Sequence, residues 1–140
     1  MRGTRRAEIF IDGACAGNPG PAGIGVVLTD GSAKARRELS KYLGEATNNI
    51  AEYLALVYAL QEALQLGYHE VLVNTDSELL VKQTRGEYKV RNPQLRWLHD
   101  VVMHLAKGFR TFRIEHIPRT KNTRADRLAG QAIKQRLIDN

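Results

Sequence analysis

The sequence predicts an α/β fold built on one mixed sheet, and three observations carry that expectation. Apolar stretches separated by turn residues fill the first third of the chain, a helical period replaces them from Asn49, and a strand then returns, followed by more helix. A strand, a long helix, a strand and a helix in that order require at least one parallel crossover.

Ala7 to Asp12 (AEIFID) reads as a short apolar strand and Ala22 to Thr29 (AGIGVVLT) as a second, joined by the glycine- and proline-rich GACAGNPGP. Ala33 to Leu43 alternates in face as a third strand should, and Asp30-Gly31 before it is a hairpin signal. These three form an antiparallel meander. From Asn49, the residues Ile50, Leu54, Val57 and Leu64 recur at helical spacing until Gly67. Glu70 to Thr75 (EVLVNT) suits a strand buried on both faces, and Ser77 to Thr84 is helical again. After a break at Gly86 to Asn92, Pro93 opens a helix carrying Leu95, Leu98, Val102 and Leu105, with Trp97 expected in its core face. Phe109 to Ile117 alternates as a half-covered strand, with His116 a structural residue on it, and a last helix runs from about Thr123 to near Leu137. No repeat or linker divides the 140 residues, so one domain, 1–140, is expected.

Composition narrows the class of function. Hydrophobic residues make up 43% of the chain, enough for a packed core, and the formal charge is +6. With a pI near 9.7 and basic residues spread from Arg2 to Arg136, the charge favours a polyanionic partner. The lone Cys15 excludes an internal disulfide and a cysteine-rich zinc site, and reads as packing in a loop. No apolar run reaches the roughly 18 to 20 residues of a membrane span, and no signal-peptide core follows the basic N-terminus. The expectation is a soluble, cytoplasmic protein that is monomeric and needs no protein partner.

Two strands end alike: EIFID closes at Asp12, and EVLVNT is followed at once by Asp76. Ligands of open α/β sheets bind beyond the carboxyl ends of the strands, so both acids belong to one edge. Two like charges side by side are unfavourable unless a proton or a cation lies between them. Glu52 and Asp126 each stand in the first turn of a helix. Each also fits a capping pair, Asn49 with Glu52 and Thr123 with Asp126. Taken together, four hard oxygen donors suit Mg²⁺ or Mn²⁺. Two such ions about 4 Å apart would clamp an in-line displacement at a phosphodiester.

The blocks IDGACAGNPGPAGIGVVL, TNNIAEYLALVYAL, NTDSELLV and NTRADRLAG resemble, in this order from Ile11 to Gly130, the type 1 ribonuclease H family. The resemblance implies a ribonuclease H-like fold, a five-stranded mixed sheet of three antiparallel and then two parallel strands flanked by helices. It implies endonucleolytic hydrolysis of the RNA strand of an RNA/DNA hybrid by two Mg²⁺ (or Mn²⁺) ions, leaving 5′-phosphate and 3′-hydroxyl ends. Its metal-binding catalytic carboxylates map onto Asp12, Glu52, Asp76 and Asp126. It also implies hybrid contacts. Asn18, Asn48 and Asn49 suit the shallow minor groove, where the 2′-OH marks RNA. Gly13 leaves room for a backbone near the metals. Thr47 at a helix entry resembles a grip on a DNA phosphate.

Two departures from the family pattern affect these expectations. The loop before the last helix reads PRTKNT, without the histidine many bacterial relatives carry there. Arg119 is the residue in it with the reach and charge to meet a phosphate, although it cannot act as a base; Asn122 is expected to fix the loop beside the substrate. The second departure is the short passage from the Ser77 helix to Pro93, which leaves no room for a basic, tryptophan-rich protrusion. Hybrid affinity then falls to Lys82, Arg85, Lys89, Arg91 and the C-terminal arginines, and should weaken with salt.

Dinucleotide binding is disfavoured because GACAGNPG lacks the GxGxxG spacing and leads into a strand instead of a helix. A non-catalytic hybrid-binding domain, or another polynucleotidyl transferase of the same fold, are the alternatives that remain.

Overall fold

The computed structural model describes residues 5–31 and 36–139. Three antiparallel strands, β1 (Arg6–Cys15), β2 (Gly20–Thr29) and β3 (Arg36–Ala46), are followed by helix α1 (Asn48–Gln65) and by β4 (Glu70–Thr75). Helices α2 (Glu78–Thr84) and α3 (Pro93–Ala106) lead to β5 (Thr111–His116), and α4 (Thr123–Asp139) closes the chain. The sheet order is β3-β2-β1-β4-β5, with β4 parallel to both β1 and β5. This is the mixed sheet expected from the sequence. The third strand runs past Leu43 to Ala46; its expected start, residues 33–35, lies outside the described residues. Among the described residues no helix is long and apolar enough to cross a membrane.

The core lies between the sheet and α1. Alternation in β1 sends Ala7, Ile9 and Ile11 to this side, where they meet Val71 and Val73 of β4 and Ile24 and Val26 of β2. The sequence expects Ile50, Leu54, Val57 and Leu64 to form the buried stripe of α1. Those four are only half-buried, and the sealed stripe is Ala51, Ala55, Leu56, Ala59, Leu60 and Ala63. The reason is that α1 is covered twice, by the sheet and by α3. Alanines let its axis lie close to the strands while the larger residues fill its flanks.

Trp97 is the clear miss. It is 76% exposed on α3, whose inward residues are Leu95 and Val102. Its place between Leu95 and Leu98 puts it just off a narrow apolar stripe, on the outer side of the helix. His116, expected to be structural, closes β5 on an exposed position.

The other face of the sheet carries α4, which packs chiefly on β2. Gly23 and Gly25, two residues apart on one face of β2, meet this helix. A Cβ on Gly25 would strike the Ala125 carbonyl and lie 2.8 Å from Leu128 Cβ, and one on Gly23 would lie 2.6 Å from the Ala129 carbonyl. The Ser40 hydroxyl on β3 donates to the Leu128 carbonyl at 2.6 Å, and Arg124 donates twice to Glu38, at 2.8 and 2.6 Å. The start of α4 is therefore fastened across two strands, β2 and β3, which matters because Asp126 stands there.

Candidate active site

Parallel pairing of β1 with β4 sets Ile11 opposite Thr75, so Asp12 and Asp76, the next residue of each segment, emerge side by side at the carboxyl edge. Glu52 reaches the same place from the first turns of α1, and one carboxylate oxygen from each of Asp12, Glu52 and Asp76 lies within 4.8 Å of the others. Asp12 and Glu52 are both buried at 6% exposure. Asp126 is outside this triad but hydrogen-bonds Asp12 through its side chain. It is 44% exposed and faces the Arg119 guanidinium at 3.8 Å.

The local structure decides against capping for Glu52. Thr47 is the cap of α1, its hydroxyl accepting from the Ile50 amide at 3.2 Å, so Asn49 lies inside the helix. The Glu52 carboxylate accepts instead from the Gly13 amide and from the Ser77 hydroxyl. Ser77, which the sequence marks only as a helix start, thus caps α2 through Leu80 N and steadies Glu52. Gly13 is required by the approach of α1: a Cβ there would strike the backbone of Ala51 and Glu52. What its bare α-carbon admits is the helix that delivers Glu52.

Burial, with Glu52 and the other acids beside it, pushes Asp12 up to about 9, and burial with Asp76 nearby pushes Glu52 up to about 8. The hydrogen bond between Asp12 and Asp126, which requires one of them to keep a proton, is part of the cause of that shift. Protons hold this cluster together when no cation does. Oxygen donors alone, closely spaced and mutually repelling, fit a hard divalent cation.

The sign of the pH effect follows from these shifts. The unfolded chain sheds the two protons near its ordinary values of 3.8 and 4.5, whereas the native chain holds them to about 9 and 8. Between those limits the native state binds more protons, so the two acids lower the stability of the metal-free protein as pH rises from about 4 to 9. Mg²⁺ should therefore raise the melting temperature more at pH 8 than at pH 5, relative to EDTA. An equal or larger rise at pH 5 would place the ion elsewhere.

Asn18 lies in the turn between β1 and β2, and its side-chain oxygen accepts from the Asn48 amide at 2.9 Å, tying that turn to the start of α1. Asn18, Asn48 and Asn49 are exposed together with this entry, and Thr47 is half-buried as its cap. Arg119 opens a single 3-10 turn, Arg119–Lys121, and is 81% exposed. Asn122, expected beside the substrate, is turned inward at 1% exposure. The Cys15 thiol is half-buried, donates to the Ala46 carbonyl at 3.2 Å, and is pushed up by burial and by Glu52, which suits packing. Of the basic residues from α2 into α3, Lys82 is engaged with Glu78 at 3.0 Å and Arg85 with the Ile114 carbonyl at 2.7 Å. Lys89, Arg91 and Arg96 line one open groove.

Strand order and acidic edge together define this molecule as an α/β domain of the ribonuclease H-like class. A profile of the Reverse transcriptase-like family matches residues 10–132. The ribonuclease H of Chlorobium phaeobacteroides is 37% identical over 93% of this chain and 97% of its own. The compost-derived LC11-RNase H1, solved in complex with an RNA/DNA hybrid, superposes with a TM-score of 0.88 at 44% identity, covering 94% of this chain and 99% of that one. The chain belongs to the ribonuclease H family. A bifunctional protein of Mycobacterium tuberculosis is 45% identical over 91% of this chain, which spans about a third (35%) of that relative's length.

Proposed function

We propose that the protein is an endonuclease that hydrolyses the RNA strand of RNA/DNA hybrids, leaving 5′-phosphate and 3′-hydroxyl ends. The convergence of Asp12, Glu52 and Asp76 at one strand edge carries this reading. A family relative of the same fold solved on an RNA/DNA hybrid supports the substrate. Residues 1–140 act in this proposal as one catalytic domain, monomeric and cytoplasmic.

Asp12, Glu52, Asp76 and Asp126 would hold two Mg²⁺ or Mn²⁺ ions. The chemistry such ions supply when bound is activation of the attacking water and stabilisation of charge on the leaving oxygen. The chain's own residues set the geometry. Gly13 N–H and Ser77 O–H orient Glu52, while burial at the strand edge keeps competing water from Asp12. Asn18, Asn48 and Asn49 offer amides to the minor groove, with Asn18 holding the turn and the helix entry in register. Thr47 presents the α1 entry to a phosphate of the DNA strand, and Lys89, Arg91 and Arg96 add charge on the groove between α2 and α3.

Arg119, projecting from its turn beside Asp126, would approach the scissile phosphate and stabilise charge there. Arg119→Ala should slow turnover by roughly tenfold, less than loss of a donor in a dry site, because the guanidinium is exposed and screened. A wild-type rate would remove Arg119 from the reaction.

The deciding experiment is cleavage of a labelled RNA/DNA hybrid, beside matched duplex DNA and duplex RNA, with Mg²⁺, Mn²⁺ or EDTA. Metal-dependent loss of the hybrid's RNA strand alone is expected. Binding without cleavage would make this a non-catalytic hybrid-binding domain, and cleavage of duplex DNA would make it another polynucleotidyl transferase.

A further inference from the structure

Asn122 joins four parts of the acidic edge. Its backbone N–H donates to the Arg119 carbonyl at 3.0 Å, closing the 3-10 turn, and its own carbonyl accepts from the Asp126 amide at 3.1 Å, opening α4. Its side-chain Nδ2 donates to the Ile11 carbonyl at 2.8 Å and to Asp76 Oδ2 at 3.3 Å. A single residue therefore touches the strand end that presents Asp12, the Asp76 carboxylate, the turn of Arg119 and the helix start of Asp126.

The hydrogen bonding is unbalanced in a telling way. Both neighbours of the amide nitrogen are acceptors, so the NH₂ must face them, and Oδ1 is left buried without a partner. A buried amide oxygen without a donor lowers stability. An apolar side chain of similar size would fill the position without that cost, so packing alone does not explain an asparagine here.

We infer that Asn122 is a positioning residue for the metal-binding carboxylates, and not a substrate contact. Its amide occupies one oxygen of Asp76, leaving the other for a cation, and ties that carboxylate through the Ile11 carbonyl to the strand of Asp12. The inference rests on the cation reading of the acidic edge. It assigns a residue that touches neither substrate nor ion to the spacing of the ion's ligands. Groups that hold ligating carboxylates in this way typically change metal affinity by about 10- to 100-fold when removed.

The test is calorimetric titration of Mn²⁺ into the wild type, Asn122→Leu and Asn122→Ser, each checked for cooperative melting, with kcat and KM measured on the hybrid. Asn122→Leu keeps the branched shape with somewhat more bulk and lacks the donor. It should bind Mn²⁺ at least tenfold more weakly and lose kcat by a similar factor at fixed Mn²⁺, with KM changed less than about threefold. Wild-type Mn²⁺ affinity in this variant would reduce Asn122 to packing. A raised KM with unchanged kcat and Mn²⁺ affinity would return it to the substrate surface. If the leucine variant does not fold, Asn122→Ser, with a shorter donor, carries the same reading: an affinity loss of at least about threefold supports the inference, and none overturns it. A wild type that binds no Mn²⁺ would instead sink the cation site itself.

Discussion

Asp12→Asn should abolish hybrid cleavage, by on the order of a thousandfold or more, and at the same time raise the melting temperature of the metal-free protein. The first effect follows from position. Asp12 is the buried acid that the sheet places beside Asp76, near Glu52 and in hydrogen-bond contact with Asp126, so every cation held by the cluster depends on it. The second follows from electrostatics. Burial and three acidic neighbours disfavour its charge, so the native chain must take up a proton there at pH 8, and an amide of the same shape removes that requirement without opening a cavity. A gain of about 1–3 kcal/mol at pH 8, or roughly 3–10 °C, is the expected scale. The two readouts guard each other. Substantial residual activity would remove Asp12 from the centre of the site. Loss of activity in a variant that melts lower than the wild type would mean that the substitution had damaged the fold.

How much of this was legible in the sequence depended on the range of the signal. The end of β4 and the point where β1 leaves its pairing with β4 could be read locally, because a short apolar run closing on an aspartate is visible in EIFID and EVLVNTD, although β1 itself runs on to Cys15. Their adjacency followed from the crossover, which is a rule of topology. The role of Glu52 could not be read this way. A glutamate three residues after an asparagine looks like a cap, and only the fold shows that Thr47 takes that task while Gly13 and Ser77 hold the carboxylate. Asn122 could be singled out as fixing the loop, but its inward partners were hidden for the same reason. Its partners, Ile11 and Asp76, are 111 and 46 residues away, and no local pattern marks an asparagine as turned inward. Trp97 failed in the opposite direction: large aromatic residues are usually buried, yet one step off a narrow stripe placed this one in solvent.

The glycines of β2 were read in the sequence only as part of a strand, and they support the second large effect. Gly25→Ala should cost about 3 kcal/mol or more, roughly 10 °C in melting temperature. The added methyl would strike the Ala125 carbonyl and lie 2.8 Å from Leu128 Cβ and 2.9 Å from the Ala129 amide nitrogen. Two of these three atoms are helix backbone, which cannot rotate away, so α4 must lift from the sheet or the strand must bend. Lifting would stretch the Ser40 bond to Leu128 and the Arg124 pair with Glu38, and would carry Asp126 and Asn122 away from Asp12 and Asp76. Stability and cleavage should therefore fall together, and activity should not return at a temperature where the variant is fully folded. Gly130→Ala on the same helix is the control. A Cβ there meets nothing within 4 Å, and an alanine in a helix interior should stabilise by about 0.5–1 kcal/mol. If both variants melted within a degree of the wild type, the close seat of α4 on β2 would be wrong. If Gly25→Ala melted low yet cleaved normally, Asp126 would not depend on that seat, and the fourth carboxylate would have to be held in place from the loop side alone.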